Sequence, residues 1–153
     1  MLHQFVASGF IVTPDRTQTL LIWHNKLGKW VQPGGHIDEG ELPHEGALRE
    51  VREEVGLQPT LVTTGVELGM PSEIKEESQM PTPYAVFREV IPANAKDDEH
   101  IHMDLMYVME HEKVEPQVCS ERELCKVAWF TGAQVAELDT FESVRAMAKD
   151  LLK

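Results

Sequence analysis

The amino-acid sequence predicts an α/β sandwich, in which mixed β-strands are packed between helices. The prediction depends on several strand-sized apolar segments, on two segments with helical periodicity and on the length of the chain. The chain has 153 residues, and a single domain commonly contains about 100–200 residues. Because no internal repeat or linker divides the sequence, we expect one domain over residues 1–153.

The first predicted elements are two strands that form a hairpin. Residues His3–Thr13 are apolar and β-branched, Pro14–Thr17 supplies turn-forming residues, and Gln18–His24 is the expected partner strand. A short strand around Trp30–Gln32 then leads into a sharp loop at Pro33-Gly34-Gly35. The N-terminal quarter of the chain is therefore predicted to be mostly β-structure.

The clearest predicted helix is Leu42–Val55, because Pro43 suits a first helical turn and Gly56 is a typical C-terminal stop. A second helix is predicted at Phe141–Leu152 near the end of the chain. Apolar residues recur on one face of each helix: Leu48, Val51 and Val55 on the first, and Phe141, Val144, Ala148 and Leu151 on the second.

The remaining strands are predicted between these helices. The apolar segments with strand character are Thr60–Gly69, Tyr84–Ile91, His102–Met109 and Val127–Thr131. Two Pro-rich, acidic segments, Met70–Pro83 and Pro92–His100, are predicted to be loops. Strands and helices alternate along the chain in the way expected for a layered α/β domain.

The net charge of −12, from 14 basic and 26 acidic residues, disfavours binding to a nucleic-acid polymer or to an acidic membrane. It does not exclude a phosphorylated ligand, because divalent cations can bridge carboxylates to phosphates. No apolar run approaches the roughly 18 residues that a membrane-spanning helix needs. We therefore expect a small anionic ligand rather than a polymer or a membrane.

The cellular compartment is predicted from the N-terminus and the cysteines. The N-terminal segment has no Lys or Arg before Arg16, whereas a signal peptide begins with a basic region. Cys119 and Cys125 form neither a Cys-x-x-Cys pair nor a pattern of several bridges, which favours reduced thiols. These features favour a cytoplasmic protein.

Three glutamates on the first helix are the strongest chemical signal. Glu50, Glu53 and Glu54 are related as i, i+3 and i+4, so their carboxylates share one face of the helix. A solvated acidic face is one interpretation, and a set of oxygen ligands for Mg²⁺ or Mn²⁺ is the other. The preceding Gly34 and Gly35 favour the second, because glycines let the backbone approach a ligand closely and present a carbonyl oxygen.

This region resembles the signature of the Nudix hydrolases at every fixed position. The sequence reads Gly35-x5-Glu41-x7-Arg49-Glu50-Val51-x-Glu53-Glu54-x-Gly56-Leu57. The flanking segments Trp30–Gly35 and Val127–Phe130 are also similar to the strands that accompany this signature. The resemblance implies the family's α/β/α sandwich over the whole chain.

The resemblance also implies an activity, namely hydrolysis of a nucleoside diphosphate linked to another group, by attack of water on phosphorus with Mg²⁺ or Mn²⁺. Carried over by position, the metal ligands would be the Gly35 carbonyl and the carboxylates of Glu50, Glu53 and Glu54. The catalytic machinery would be Glu53 as the general base, Arg49 holding the carboxylates, and Glu41 bracing the junction of loop and helix.

Several residues outside the signature are candidates for the substrate pocket. His100, His102 and Asp104 would share one face of a strand, where they could line a substrate pocket or, less favourably, bind a metal. Trp30 could stack on a nucleobase, although core packing is the commoner role of tryptophan. Glu121, on a late loop, is the alternative general base. We therefore predict Trp30, His102, Asp104 and Glu121 as substrate-binding candidates.

The sequence does not identify the substrate. A small nucleotide is the expected partner, either a nucleoside triphosphate, a nucleotide sugar or ADP-ribose, and a homodimer is compatible with the resemblance. The alternative function is a Nudix-like module that senses nucleotides without hydrolysing them. Isopentenyl-diphosphate isomerase, which shares this fold, is disfavoured because neither cysteine precedes the signature.

Overall fold

The computed structural model describes residues 1–115 and 126–153. These residues form one mixed β-sheet and three α-helices. The strands are β1 His3–Val12, β2 Gln18–His24, β3 Lys29–Val31, β4 Gly34–His36, β5 Thr60–Leu61, β6 Ala85–Ile91, β7 His100–Glu110 and β8 Val127–Thr131. The helices are α1 Pro43–Val55, α2 Gly132–Glu137 and α3 Glu142–Leu151. None of these helices is long and apolar enough to cross a membrane.

Strand β1 lies at the centre of the sheet. It is parallel to β7 along its whole length, from His3 opposite Ile101 to Val12 opposite Glu110. On its other edge it is antiparallel to β2 and to β4, as the predicted hairpin with β2 requires. Strand β6 extends the sheet beyond β7, and β8 extends it beyond β2. The sheet therefore mixes parallel and antiparallel pairs, as predicted.

Two hydrophobic clusters lie on opposite faces of the sheet. Because side chains alternate along a strand, β1 supplies Ala7 and Ile11 to one cluster and Phe10 and Val12 to the other. Helix α1 covers the first cluster, and α2 and α3 cover the second. The consecutive burial of β1 from Val6 to Val12 follows from this arrangement, since both faces of the strand are packed. The predicted sandwich is confirmed.

The two predicted helices are confirmed within one residue at each end. Helix α1 begins at Pro43 and ends at Val55, and its C-cap Gly56 has a φ of 71°, the left-handed conformation that favours glycine. Val51 and Val55 of α1 are fully buried, and Leu48 is partly buried. Helix α3 is capped by Phe141 and Leu152, the predicted limits of the second helix.

Two predictions of secondary structure were wrong, and one helix was not predicted. The strand predicted at Thr60–Gly69 ends at Leu61, and Val66 and Leu68 are exposed. Gly65 and Gly69 have φ values of 83° and 66°, which an extended strand does not accommodate. Gly34 and Gly35, which were predicted to lie in the loop Pro33-Gly34-Gly35, belong to β4, which pairs with β1. The short helix α2 was not predicted, because its six residues are too few for a periodic pattern.

Candidate active site

Arg49 of α1 connects the acidic residues of the signature. Its Nε and Nη2 atoms donate to the two carboxylate oxygens of Glu41, at 2.8 and 3.1 Å, which is a bidentate ion pair. Its Nη1 atom donates to Glu50 Oε1 at 3.0 Å and to Glu53 Oε2 at 3.1 Å. Nη2 also donates to the carbonyl oxygen of His36 at 2.9 Å. One guanidinium group thus holds the helix, the loop and three carboxylates in a single geometry.

The electrostatic consequences are consistent with this network. Hydrogen bonding to Glu41, and less strongly to Glu50, raises the pKa of Arg49 above its ordinary value. The Arg49 guanidinium in turn lowers the pKa of Glu41, whose Oε1 atom also accepts the backbone N–H of Asp38 at 3.0 Å. Glu41 therefore links residue 38 of the loop to α1.

Glu50 and Glu54 form a close acidic pair beneath the glycine loop. Burial is the main cause that raises the pKa of Glu54 far above its ordinary value, and the adjacent Glu50 carboxyl raises it further. The Gly34 N–H donates to Glu54 Oε1 at 3.3 Å. A Cβ atom on Gly35 would lie 2.7 Å from Glu50 Oε1, so a larger residue at this position would displace the Glu50 carboxylate. The pair needs either a proton or a cation to balance its charge.

The donor set suits a hard divalent cation. Mg²⁺ usually binds through one or two carboxylates and completes its coordination with water and substrate phosphates. Glu50, Glu54 and the Gly35 backbone supply oxygen atoms of this kind. Glu53 is more exposed, at 56% of its side chain, and its carboxylate pairs with Arg49. Among the described residues, no three His, Cys, Asp or Glu side chains are grouped so that they could hold a metal ion alone.

A cavity of about 660 Å³ borders the glycine loop. This volume is within the range of about 300–1,000 Å³ that is typical of small-molecule sites. The residues that line it include Gln32, Gly35, His36, Glu89, His102 and Asp104. The cavity and the acidic pair therefore meet at the backbone of β4.

Asp104 lies at the buried end of this cavity, with only 2% of its surface exposed. Its Oδ2 atom accepts hydrogen bonds from Ser8 Oγ at 3.0 Å and from Gln32 Nε2 at 3.3 Å. Burial raises the pKa of Asp104. Burial and the neighbouring Asp104 carboxyl raise the pKa of Glu89 from its ordinary 4.5 to about 8. This second acidic pair shares a proton near neutral pH.

Three histidines line the neighbouring surface of β4 and β7. His100 and His102 approach to 3.1 Å between their Nε2 atoms, and the ring centres of His36 and His102 are 5.3 Å apart. Burial lowers the pKa of His102, with smaller effects from His36 and His100. His100, His102 and Asp104 do share one face of the strand, and of these His102 and Asp104 line the cavity.

The structure places the other two pocket candidates elsewhere. Trp30 packs edge-on against Trp23 and Phe130, at ring-centre distances of 5.8 and 4.8 Å, and it is not among the described residues that line the cavity. Glu121 lies outside the described residues. The stacking role of Trp30 and the basic role of Glu121 therefore stay predictions.

Sequence reasoning missed Ser8, Gln32 and Glu89. The strand pairing brings them together: Glu89 lies opposite His102, two residues from Asp104, and Val6 of β1 lies opposite Asp104. The alternation of Phe87, Glu89 and Ile91 indicates that these side chains share one face of β6. Which residues of β7 they meet depends on the register, which a single sequence does not reveal.

The comparisons with known proteins agree with this architecture. The sequence model of the NUDIX domain family matches residues 3–151. A crystal structure of a NUDIX-family hydrolase from Clostridium perfringens superposes with a TM-score of 0.74 at 25% identity, covering 99% of this chain and 97% of that one. The E. coli dihydroneopterin triphosphate pyrophosphohydrolase superposes with a TM-score of 0.70 at 17% identity, covering 99% of this chain and 98% of that one, which shows the fold alone.

The curated relatives match over a shorter segment. An RNA pyrophosphohydrolase from Shewanella sediminis is 46% identical over 41 residues, which is 26% of this chain and 24% of that protein. An RNA pyrophosphohydrolase from a Psychrobacter strain is 47% identical over 45 residues, 28% of this chain and 26% of that protein. The match thus spans about a quarter of these relatives. Since the family model covers nearly the whole chain, the chain belongs to the NUDIX domain family.

Proposed function

We propose that this protein hydrolyses the diphosphate linkage of a small nucleotide, with Mg²⁺ or Mn²⁺ as cofactor. The observation that carries the proposal is the acidic pair Glu50–Glu54 against the Gly34–Gly35 backbone, at one edge of a cavity of nucleotide size. The cavity would take the nucleoside, and the glycine loop would take the phosphates. This arrangement supports a reaction centre at the border between α1 and β4.

The metal would be held by the Gly35 carbonyl, Glu50 and Glu54, with Glu53 as a further ligand. A divalent cation bound there would screen the diphosphate charge and lower the pKa of a bound water molecule. The buried Glu50–Glu54 pair supports this assignment, since two adjacent buried carboxylates are unfavourable without positive charge.

The protein's own residues would divide the remaining work. Glu53 is the most exposed of the three carboxylates Glu50, Glu53 and Glu54. It would accept the proton of the attacking water. Arg49 would act as a positioning residue, because it donates to both Glu50 and Glu53. Glu41 would hold Arg49 in its bidentate orientation. Trp30 and Glu121 stay secondary candidates, for base stacking and for the alternative general base.

The substrate we favour is a nucleoside triphosphate, a nucleotide sugar or ADP-ribose. The matched curated relatives are named for RNA pyrophosphohydrolysis. The net charge of −12 makes a long polyanion an unfavourable partner for this chain. A 5′-triphosphorylated RNA therefore belongs in the substrate panel as the test of that relationship, and we expect it to react more slowly than small nucleotides.

The proposal is tested by a substrate panel assayed with Mg²⁺, with Mn²⁺ and with EDTA. The panel contains nucleoside triphosphates, nucleotide sugars, ADP-ribose, dinucleoside polyphosphates, NADH and 5′-triphosphorylated RNA, with released phosphate measured after phosphatase or pyrophosphatase coupling. We expect metal-dependent turnover of one class of small nucleotide. Turnover that persists in EDTA would contradict the assigned role of the metal.

The matched variants are Glu53→Gln and Glu137→Gln. Both make the same chemical change, but Glu137 is an exposed residue of α2 away from α1. Because general base catalysis contributes about 10²–10⁴-fold, we expect Glu53→Gln to lose at least about 100-fold in kcat and Glu137→Gln to keep normal turnover. No turnover of any panel member by the wild type, with nucleotide binding retained, would instead support the alternative function of a nucleotide sensor.

A further inference from the structure

Two histidines of β7 face each other through their Nε2 atoms. These two nitrogen atoms, of His100 and His102, are 3.1 Å apart. The ring centres are 4.9 Å apart, and the ring planes are inclined by 59° to each other. His102 lines the cavity, and His100 is buried. The chemistry proposed for the carboxylates of α1 does not use this pair.

A backbone contact determines which nitrogen of His100 carries the proton. Its Nδ1 atom lies 2.8 Å from the carbonyl oxygen of Asp98. Because a carbonyl oxygen only accepts hydrogen bonds, Nδ1 must be the N–H donor. In the neutral ring, Nε2 then presents its lone pair to His102. Metal-binding histidines in proteins almost always have this arrangement, in which the other ring nitrogen donates to a carbonyl, a carboxylate or water.

His102 favours the neutral form that a metal ligand requires. Burial lowers the pKa of His102, and the neighbouring rings of His36 and His100 lower it further. A positive charge on this ring is unfavourable for both reasons. At neutral pH, His102 therefore has a deprotonated ring nitrogen that can bind a metal ion.

The geometry of the pair matches two ligands of one ion better than a straight hydrogen bond between two rings. Zn–N bonds are about 2.0–2.1 Å long, so nitrogens 3.1 Å apart would subtend an angle of about 98° at the metal. Since a ring centre lies about 1.15 Å behind its nitrogen, two rings pointed at that ion would have centres about 4.8 Å apart. A straight N–H···N hydrogen bond of the same length would separate the centres by about 5.4 Å. The observed 4.9 Å therefore indicates two nitrogens that point toward a common position beside them.

The neighbouring polar side chains have other partners. His36 meets His102 edge-on with 5.3 Å between ring centres, and the His36 Nε2 atom lies 3.1 Å from Gln4 Oε1. Asp104, which shares the strand face with the two histidines, is hydrogen-bonded to Glu89. We therefore assign neither His36 nor Asp104 to the ion.

We infer that His100 and His102 form a site for a transition-metal dication, with Zn²⁺ as the ion we favour, at the edge of the cavity. Imidazole nitrogen suits Zn²⁺, Cu²⁺ and Ni²⁺, whereas Mg²⁺ prefers oxygen ligands. The pair therefore selects a different class of ion from the carboxylates of α1. Residues 1–115 and 126–153 contain no group of three ligating side chains, so water or a polar group of a ligand in the cavity would complete the coordination.

The experiment titrates Zn²⁺ into the wild-type protein at neutral pH by isothermal titration calorimetry. Excess Mg²⁺ is present throughout to occupy the oxygen ligands of α1, and no substrate is added, so the result is independent of hydrolysis. We expect one Zn²⁺ to bind per chain. The ¹⁵N NMR resonances of the His100 and His102 Nε2 atoms should shift when Zn²⁺ is added. Absence of Zn²⁺ binding to the wild type would overturn the inference.

Three histidine variants connect the binding to this pair. His100→Gln and His102→Gln each remove one ligand, and we expect each to weaken Zn²⁺ binding at least about tenfold, since loss of even a partner of a metal ligand costs about 10–100-fold in affinity. His111→Gln is the matched control. His111 follows the opposite end of β7, and its Nδ1 atom also contacts a carbonyl oxygen, that of Glu112, at 2.8 Å. This variant should keep the wild-type affinity.

Two outcomes would contradict the assignment. Unchanged Zn²⁺ affinity in His100→Gln and His102→Gln would mean that the 3.1 Å contact is a hydrogen bond only. Affinity that falls in Glu54→Gln but not in the histidine variants would place the ion at α1. Because His100 is buried, circular dichroism first establishes that His100→Gln is folded, and His102→Gln provides the same test at a less buried position.

Discussion

The protein contains two acidic regions on either side of the β4 backbone, and they are stabilised in opposite ways. The carboxylates of α1 surround Arg49, which donates to Glu41, Glu50 and Glu53. The Asp104–Glu89 pair at the end of the cavity receives only neutral donors, Ser8 and Gln32, from the described residues. In the first region one guanidinium group offsets part of the negative charge, whereas the second is stabilised by neutral hydrogen-bond donors and by the proton that Glu89 retains.

This difference affects which carboxyls keep their charge. The Arg49 guanidinium stabilises the charged form of Glu41 and lowers its pKa. Glu89 has a carboxyl rather than a cation beside it, so it favours the protonated form and destabilises the folded state as pH rises. Four variants are expected to perturb these regions, with effects that decrease in the order Arg49→Leu, Gly34→Ala, Glu89→Gln and Ser8→Ala.

The largest effect is expected from Arg49→Leu. The substitution removes five hydrogen bonds to four residues and leaves Glu41 and Glu50 without their cation. Misplacing catalytic groups by about 1 Å can cost about 100-fold in rate, and we expect at least that loss in kcat. Denaturant unfolding should show a loss of about 2 kcal/mol, since charged partners are left unpaired. Arg145→Leu, which alters an arginine of α3, is the control and should keep normal kcat.

The second prediction concerns Gly34, where the two regions meet. A Cβ atom at this position would lie 2.2 Å from Ser8 Oγ and 2.8 Å from the Ala7 carbonyl oxygen. We expect Gly34→Ala to lower the free energy of unfolding by about 1–3 kcal/mol, as overpacked sites do. Gly132→Ala is the matched control, because its Cβ would meet only Leu152 at an ordinary 3.6 Å. Equal stabilities of the two variants would contradict the close packing of β1 and β4.

The third prediction uses pH to isolate the cavity pair. The pKa of Glu89 rises from 4.5 to about 8 on folding, so the folded state binds the proton more tightly than the unfolded state. Glu89 therefore costs no stability below pH 4.5, and the cost grows as pH rises from 4.5 to about 8. Glu89→Gln removes the ionisable carboxyl, and with it this loss of stability, and leaves the neighbouring His102 unchanged.

We expect the melting temperature of Glu89→Gln to exceed that of the wild type by about 4 °C at pH 8.5 and to differ by less than about 1 °C at pH 4.5, using the ordinary conversion for a domain of this size. Differential scanning calorimetry over this range gives the comparison. A constant difference at all pH values would mean that Glu89 ionises normally in the folded protein.

The smallest effect is expected from Ser8→Ala. The change removes the 3.0 Å hydrogen bond to Asp104 Oδ2 and keeps the contact from Gln32. Loss of one hydrogen bond to a charged or partly charged group costs about 1–2 kcal/mol, and we expect about 1 kcal/mol in urea unfolding. Thr17→Ala, whose hydroxyl contacts Asp15 on the exposed turn, should cost less. If Thr17→Ala lowered the free energy of unfolding more than Ser8→Ala does, the prediction that the buried hydrogen bond contributes more would be contradicted.

Local sequence patterns were sufficient for α1, α3 and most strands. The i, i+3, i+4 spacing of Glu50, Glu53 and Glu54 follows directly from helix geometry, and Pro43 and Gly56 mark the ends of α1 in sequence as they do in the structure. The prediction that the strand continues beyond Leu61 was wrong, because apolar character alone does not show whether a neighbouring strand is available for pairing. Gly34–His36 was missed because its pairing with β1 depends on residues far away in the chain.

The sequence by itself determined the family, the acidic face of α1 and the glycine loop beside it, because these features depend on spacings within one short segment. Only the tertiary structure decided that Arg49 touches Glu41, that Glu54 is buried beneath Gly34, and that Ser8, Gln32 and Glu89 surround Asp104. The physical reason is that helix geometry repeats every few residues, whereas the partners of a strand are set by register between distant segments.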